Sequence, residues 1–312
     1  MVQKQTDIII ANPIYDVVFK NLMTTSKGTN KDIASYFVGT ILGEEIIDIA
    51  LLPQEYTYHT KPKKKVNTHE AEILTLIRLD FVATIHTKRG EYKKVLIEIQ
   101  KSQKPTDLLR FRTYLGEQYK QLDTITVKEN RIEQSLPIVV IYMLGFALPE
   151  VEAIAVKANR TYIDIICGNE IKHKSPFIES LTHDAYFVQV PRINSDTYLD
   201  WEECSALKQM LSLFEQDYFV DENFLKEYPY SITNKNIKKM VETLAYIAAD
   251  PKVRRAMQEE YWAAQNEILW ENQVTTLSNQ VTTLNNQNAT LNQKIAELQR
   301  LLQQAGIDIL PS

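Results

Sequence analysis

Apolar and polar residues alternate from Ile97 to Gln100 after the apolar residues Val95 and Leu96, and the segment from Lys93 to Lys101 predicts a β-strand. The preceding segment from Ile73 to His86 is rich in Ile, Leu, Val and Thr, and it predicts another strand. Lys88-Arg89-Gly90 lies between the two segments and would form a turn. Together these segments predict an antiparallel hairpin.

The length of this turn sets the register of the hairpin. If the turn has three residues, Thr87 pairs with Glu91, and counting outward places Asp80 opposite Glu98 on one face. Gln100 shares that face. Two opposed carboxylates repel each other, so the pair is tolerable at a solvated rim or around a bound cation. An edge hairpin whose polar face meets water explains the same pattern.

Apolar residues at intervals of three and four predict helices on both sides of the hairpin. Asn12-Pro13 predicts a helix start, with Asn as the N-cap and Pro at the first helical position. A second helix is predicted from Asn30 to Leu42, ending at Gly43. After the hairpin, Thr106 to Asp123 has the same helical spacing.

A continuous apolar run from Leu136 to Phe146 predicts a buried strand at the centre of a sheet with helices on both faces. Shorter extended segments are predicted at Glu45 to Leu52, Glu55 to His59, Ala155 to Ile166, and Tyr186 to Val190. The predicted core order is therefore α-α-β-β-α-β.

Beyond Asn194 the pattern is helical to the end of the sequence. Helices are predicted from Glu202 to Phe214 and from Asn234 to Ala249, and Pro251 can open the next one.

From Gln273 the sequence repeats every seven residues, which predicts a coiled coil. The a and d positions are Val274, Leu277, Val281, Leu284, Asn288, Leu291, Ile295 and Leu298. A polar residue at an a position, here Asn288, fixes register and strand number, most often two, so we expect a homodimer. Few charges at e and g leave strand orientation weakly specified. The alternative is a single amphipathic helix that packs on its own domain.

Charge, cysteine spacing and hydropathy limit the partners and the cellular location that the sequence predicts. The formal net charge of −5 gives no overall basic field, so DNA would have to meet a local basic surface such as Lys61 to Lys65. Cys167 and Cys204 lie far apart and predict neither a zinc site nor a disulfide framework. The N-terminus lacks the blocks of a signal peptide, and the apolar stretch from Pro137 to Pro149 is too short for a bilayer. We therefore expect a cytoplasmic protein with no membrane partner.

Four short motifs together resemble the Rpn family of recombination-promoting nucleases and transposases, in the PD-(D/E)XK superfamily. They are the helix Asp16-Val-Val-Phe19-Lys20, the strand residue Asp80, the triplet Glu98-Ile-Gln100, and the helix Arg110-x-x-x-Tyr114. The resemblance covers about residues 10 to 150. It implies an α/β restriction-endonuclease-like core, with a mixed central sheet flanked by helices.

With the helical pattern that follows, three regions are predicted. Residues 1–195 would form the nuclease domain, residues 196–265 a helical region, and residues 266–305 a C-terminal coiled-coil oligomerisation segment.

The resemblance also implies a metal site. Asp80 and Glu98 would bind Mg²⁺ (or Mn²⁺) through carboxylate oxygens, and the Ile99 carbonyl would complete the protein ligands. Gln100 stands where the wider superfamily has lysine, and its amide can orient water but supplies no positive charge. Lys20 is the candidate substitute cation.

Three further residues are candidates for the same site. Asp16 could hold a second metal or orient Lys20, and Arg110 could clamp the scissile phosphate with Tyr114 one turn away. Each has a plainer explanation. Asp16 and Lys20 have the spacing of an ordinary ion pair on a helix surface, and Arg110 could pair with an acidic neighbour on the sheet.

The resulting hypothesis is a divalent-metal-dependent DNA endonuclease that hydrolyses phosphodiester bonds, in DNA recombination or transposition or in phage defence. The alternative is a catalytically inactive, oligomeric DNA-binding or scaffold protein that retains the nuclease fold. The change from lysine to Gln100 and the acidic total charge favour the alternative, whereas the retained carboxylates favour the enzyme.

Overall fold

The computed structural model describes residues 8–25, 28–52, 55–60, 73–78, 81–100, 105–127, 129–194, 204–221 and 224–305. The chain divides into two compact units, Met1–Met257 and Gln258–Ser312. The predicted metal ligand Asp80 and the basic stretch from Lys61 to Lys65 lie outside the described residues.

The first unit contains strands and helices, and the second contains most of one long helix. The strands are β1 (Ile8–Ala11), β2 (Thr24–Thr25), β3 (Gly28–Thr29), β4 (Ile46–Leu52), β5 (Glu55–Thr60), β6 (Ile73–Arg78), β7 (Phe81–Thr87), β8 (Tyr92–Gln100), β9 (Asp123–Val127), β10 (Asn130–Gln134), β11 (Ile138–Leu144), β12 (Ala155–Ala158), β13 (Tyr162–Ile163), β14 (Glu170–Ile171), β15 (His183–Gln189) and β16 (Leu225–Tyr228). The helices are α1 (Asp16–Met23), α2 (Lys31–Leu42), α3 (Pro105–Lys120), α4 (Pro176–Leu181), α5 (Ala206–Leu211), α6 (Lys235–Ala249) and α7 (Pro251–Gln304).

A mixed six-stranded sheet forms the centre of the first unit, with the strand order β12-β15-β11-β8-β7-β4. Strand β11 is parallel to both of its neighbours, β8 and β15, and the remaining pairs are antiparallel. Nearly all residues of β11 are buried. The prediction of a central strand from this continuous apolar run is confirmed.

The β7–β8 hairpin has the register that a three-residue turn predicts. The Thr87 N–H donates to the Glu91 carbonyl at 2.9 Å, and the same register continues along both strands. Gly90 has a φ of 83°, the left-handed conformation that such a turn requires and that glycine adopts without strain. The turn is confirmed, whereas the predicted opposition of Asp80 and Glu98 involves a residue outside the described ones.

Helices cover both faces of the sheet. On one face, Phe111 of α3 packs in a buried cluster with Val82 of β7. On the other, the ring of Phe19 of α1 lies 6.1 Å from that of Phe81. Because successive strand residues point to opposite faces, Phe81 and Val82 mark the two sides, and α1 and α3 lie on opposite faces.

The predicted helix start at Asn12-Pro13 is wrong, because α1 begins at Asp16. Asn12 is buried, and its side-chain amide donates to Gln216 Oε1 at 3.0 Å. Its side-chain oxygen accepts from the Ile14 N–H at 3.3 Å. A contact 204 residues away in sequence therefore holds Asn12 in a turn before the helix.

The single strand predicted from Ile73 to His86 is also wrong. Strand β6 pairs with β5 in a two-stranded sheet, whereas β7 pairs with β4 and β8 in the central sheet. The two segments have different partners, which a single apolar stretch does not reveal.

The segment beyond Asn194 is not helical throughout, because β16 is extended and pairs antiparallel with β1 at the N-terminal end of the unit. Helix α6 packs on β1, α1 and α2. The elements from α5 to α6, which the sequence predicts as part of a separate helical region, therefore lie in the same compact unit as the sheet.

The long helix α7 opens at Pro251, as predicted, and has 54 residues. At ~1.5 Å per residue its length is about 80 Å. Within the described ranges, no helix combines the length and the apolar character that a membrane span needs.

Candidate active site

Glu98 is the acidic residue that the fold places most distinctively. It lies near the carboxyl end of β8, on the face covered by α3, and only 1% of it is exposed. Arg110 Nη2 of α3 lies 3.2 Å from Glu98 Oε1, and 46% of the arginine side chain is exposed. The pair therefore joins a buried carboxylate to an arginine whose side chain is partly exposed.

The chain path explains why these two residues meet. Strands β8 and β11 are parallel neighbours, and α3 lies between them in sequence, so the helix must run back across the sheet. The first turns of α3 then lie near the end of β8, where Glu98 is. Phe111, one residue after Arg110, is buried against the sheet and holds this part of the helix in place.

Tyr142 is a third member of this site that the sequence analysis missed. It pairs with Glu98 across the parallel β8–β11 ladder, and its ring stacks on Phe187 with centroids 4.8 Å apart. Burial raises the pKa of the Tyr142 hydroxyl well above its usual range, and the Glu98 carboxylate raises it further. Tyr142 therefore stays a neutral phenol beside the carboxylate at physiological pH.

The structure gives Tyr114 a packing role. Its side chain is fully buried in the cluster between α3 and the sheet. A predicted contact between Tyr114 and a substrate does not fit this position, because no part of the side chain is at the surface. The helical spacing from Arg110 to Tyr114 is correct, but only Arg110 reaches solvent.

Two other predicted site residues lie on a different helix. Asp16 and Lys20 lie on α1, which packs on the opposite face of the sheet from α3. Gln100 ends β8, but its side chain, like Asp80, is outside the described residues.

The donors at this site suit a hard divalent cation only in part. The Glu98 carboxylate and the Ile99 carbonyl are oxygen donors of the kind that Mg²⁺ prefers. Among the described residues, no group of three or more His, Cys, Asp or Glu side chains is arranged to hold a metal ion. The two-carboxylate site therefore depends on Asp80.

A second ion pair lies on the same face at the other end of β8. Lys94 Nζ is 2.6 Å from Asp123 Oδ1, and the two side chains are only 2% and 7% exposed. Asp123 Oδ2 also accepts from the Leu136 N–H at 3.3 Å. Sequence reasoning missed this pair, because nothing in the alternation of β8 distinguishes a buried lysine from an exposed one.

An open groove of about 740 Å³ lies elsewhere in the first unit, between α2 and α6. Its lining includes Tyr36, Glu44, Lys235 and Lys239, and none of the predicted site residues. The groove is open and its lining mixes acidic and basic side chains without an arrangement that suggests catalysis. We therefore place the candidate site at Glu98.

No family model matches this chain, no curated protein matches its sequence, and no solved structure matches its fold.

Proposed function

We propose that this chain is a divalent-metal-dependent DNA endonuclease whose active site lies at the carboxyl end of β8. The observation that carries the proposal is the contact between Glu98 and Arg110. A buried carboxylate beside an arginine whose side chain is 46% exposed combines a metal-binding group with a group that can bind phosphate oxygens. Ligands of open α/β sheets generally bind at the carboxyl ends of parallel strands, which supports the same location.

The proposed metal ligands are Asp80, Glu98 and the Ile99 carbonyl. When bound, Mg²⁺ (or Mn²⁺) would lower the pKa of a coordinated water and offset negative charge on the phosphate. Arg110 would hold a phosphate oxygen through its guanidinium N–H groups, and Gln100 would orient the attacking water through its amide. The roles of Asp16 and Lys20, both on α1, remain predictions.

Plasmid cleavage by the purified full chain with Mg²⁺ or Mn²⁺ tests this function. We expect Glu98→Gln and Asp80→Asn each to reduce cleavage at least about 100-fold, because each removes a metal-binding carboxylate. Glu45→Gln is the matched control: it removes an exposed carboxylate paired with Lys88 at 2.7 Å and should cut like the wild type.

The same variants must keep their fold, which circular dichroism and thermal melting would show. If the folded wild type cuts no DNA with either metal, or if Glu98→Gln cuts as well as the wild type, the proposed active site is wrong.

The second candidate function is an inactive, oligomeric DNA-binding or scaffold protein. The Glu98–Arg110 pair also favours it, because each group supplies the charge that the other needs without any metal. Thermal melting with and without Mg²⁺ or Mn²⁺ distinguishes the two functions, because a cation that binds the folded state raises the melting temperature. If the site binds a catalytic metal, the cation should raise the melting temperature of the wild type but not that of Glu98→Gln. If the protein is a scaffold, the cation should raise neither.

The proposal also covers partners and setting. The partners are DNA and a second copy of the chain, joined through α7, and the setting is the cytoplasm. Recombination, transposition and phage defence are the processes in which such an enzyme would act.

A further inference from the structure

Helix α7 carries a row of apolar side chains that is exposed in the single chain. We call it the apolar row, and it comprises the apolar residues at the a and d positions from Trp270 to Leu302, in which Asn288 is the one polar a residue. Its central members are 51–61% exposed, namely Val274, Leu277, Val281, Leu284, Leu291, Ile295 and Leu298. Trp270 and Leu302 continue the seven-residue spacing at the two ends, at 68% and 37% exposure.

The residues in and beside the apolar row indicate what covers it. Valine or isoleucine occupies the apolar a positions from Val274 to Ile295, and leucine occupies the d positions, a combination that favours two strands. The flanking e and g positions are Glu271, Gln273, Ser278, Gln280, Asn285, Gln287, Asn292, Lys294, Gln299 and Leu301. With two charges among ten positions, Glu271 and Lys294, these flanks offer no charge pattern that would select a different protein, and the regular heptads are complementary to themselves.

We infer that α7 forms a parallel two-stranded coiled coil with a second copy of this chain, and that Asn288 fixes both its orientation and its register. The inference rests on the self-association in the proposed function and is independent of nuclease activity.

Orientation follows from the position of Asn288. In a parallel coil an a residue packs against the same a residue of the partner, so two Asn288 amides meet and hydrogen-bond to each other. In an antiparallel coil a residues pack against d residues, and each Asn288 would face a leucine with its amide buried and unsatisfied. Because charges at e and g are nearly absent, this amide decides the orientation.

Register follows from the same residue. The first two heptads differ only in their last residue, so a shift of seven residues still packs valine on valine and leucine on leucine there. After such a shift, however, Asn288 of one copy faces Val281 and Asn288 of the other faces Ile295. Both amides lose their partner, and the shifted coil is disfavoured.

Disulfide cross-linking in the full chain, with Cys167 and Cys204 changed to Ser, tests the orientation. Two copies of Val281→Cys should cross-link at least about tenfold faster than two copies of Thr282→Cys, because position 281 faces the partner and the b position 282 faces solvent. Cross-linking of Val281→Cys with Leu298→Cys chains, in place of Val281→Cys with itself, would show an antiparallel coil and overturn the inference. A monomer or a trimer in sedimentation at micromolar concentration would also overturn it.

A mixture of Val274→Cys and Val281→Cys chains, distinguished by a size tag, reports the register. With Asn288 present we expect almost no mixed disulfide, because the two cysteines lie one heptad apart. In the Asn288→Val background the mixed disulfide should increase about tenfold, since shifted coils then bury no unpaired amide. An unchanged yield of mixed disulfide would show that Asn288 does not fix the register. Loss of cleavage in Glu98→Gln leaves these patterns unaffected, so failure of the nuclease proposal and failure of this inference are distinguishable.

Discussion

The two ends of β8 carry ion pairs on the same face, yet their surroundings differ. At one end Lys94 and Asp123 are both buried, and at the other end buried Glu98 meets a half-exposed Arg110. A pair with no access to solvent can only hold the fold together. A pair with one exposed partner can also exchange that partner for a ligand, which is why we place the candidate site at the open end.

Breaking the closed pair should have the largest effect. Lys94→Met leaves the Asp123 carboxylate buried without its cation, and we expect a loss of about 3–5 kcal/mol in the free energy of unfolding, measured by urea denaturation. Lys31→Met is the control, because Lys31 pairs with Asp48 at 2.6 Å with both side chains more than half exposed. It should cost below about 1 kcal/mol. Equal costs for the two variants would contradict the distinction between buried and exposed pairs.

A third buried site, which contains Glu215 and Lys226, adds the effect of pH to the comparison. Burial raises the pKa of Glu215 to about 7 and lowers that of Lys226 to about 8. Between about pH 4.5 and 7 the folded state therefore holds a proton on Glu215 that the unfolded chain releases. We expect the free energy of unfolding to fall as pH rises through this window, by on the order of 3 kcal/mol.

Glu215→Gln tests that slope, because glutamine does not titrate. Lys226 keeps its proton below about pH 8, so it adds little to the change between pH 5 and 7. Urea unfolding at these two pH values should differ less in the variant than in the wild type. Glu242→Gln, at an exposed ion pair with Lys238, should keep the wild-type difference. If the variant keeps the wild-type difference between the two pH values, a group other than Glu215 causes it.

Breaking the open pair should have the smallest effect of the three. Arg110→Ala removes the guanidinium beside Glu98, but water can take its place at this end, so we expect a loss of about 1.5–2 kcal/mol. Arg112→Ala, an exposed arginine on the same helix, should change stability by less than about 0.5 kcal/mol. A loss as large as that of Lys94→Met would mean that water does not reach Glu98.

Local signals predicted the parts of the fold that depend on neighbouring residues. The β7–β8 register follows from a short turn that ends in Gly90, and the central strand β11 follows from its continuous apolar run. The long helix α7 follows from Pro251 and the heptads. In each case the pattern and the structure it predicts lie within one stretch of sequence.

The missed features all depend on partners that are distant in sequence. Asn12 has the sequence of a helix cap but hydrogen-bonds to Gln216. Lys94 pairs with Asp123, which lies beyond α3 in the sequence. Tyr142 lies beside Glu98 only because β8 and β11 pair in parallel. Of the candidate site, sequence could therefore predict Glu98 and the helical face of Arg110, but neither their contact nor the phenol beside them.

The pairing of β1 with β16 has a consequence for synthesis of the chain. Strand β1 is synthesised before its partner strand β16, which follows more than 200 residues later. During that interval β1 has an unpaired edge, which is a ready template for association with other chains. A product that stops near residue 195 would keep this edge permanently, and we expect it to aggregate even though it contains the whole central sheet.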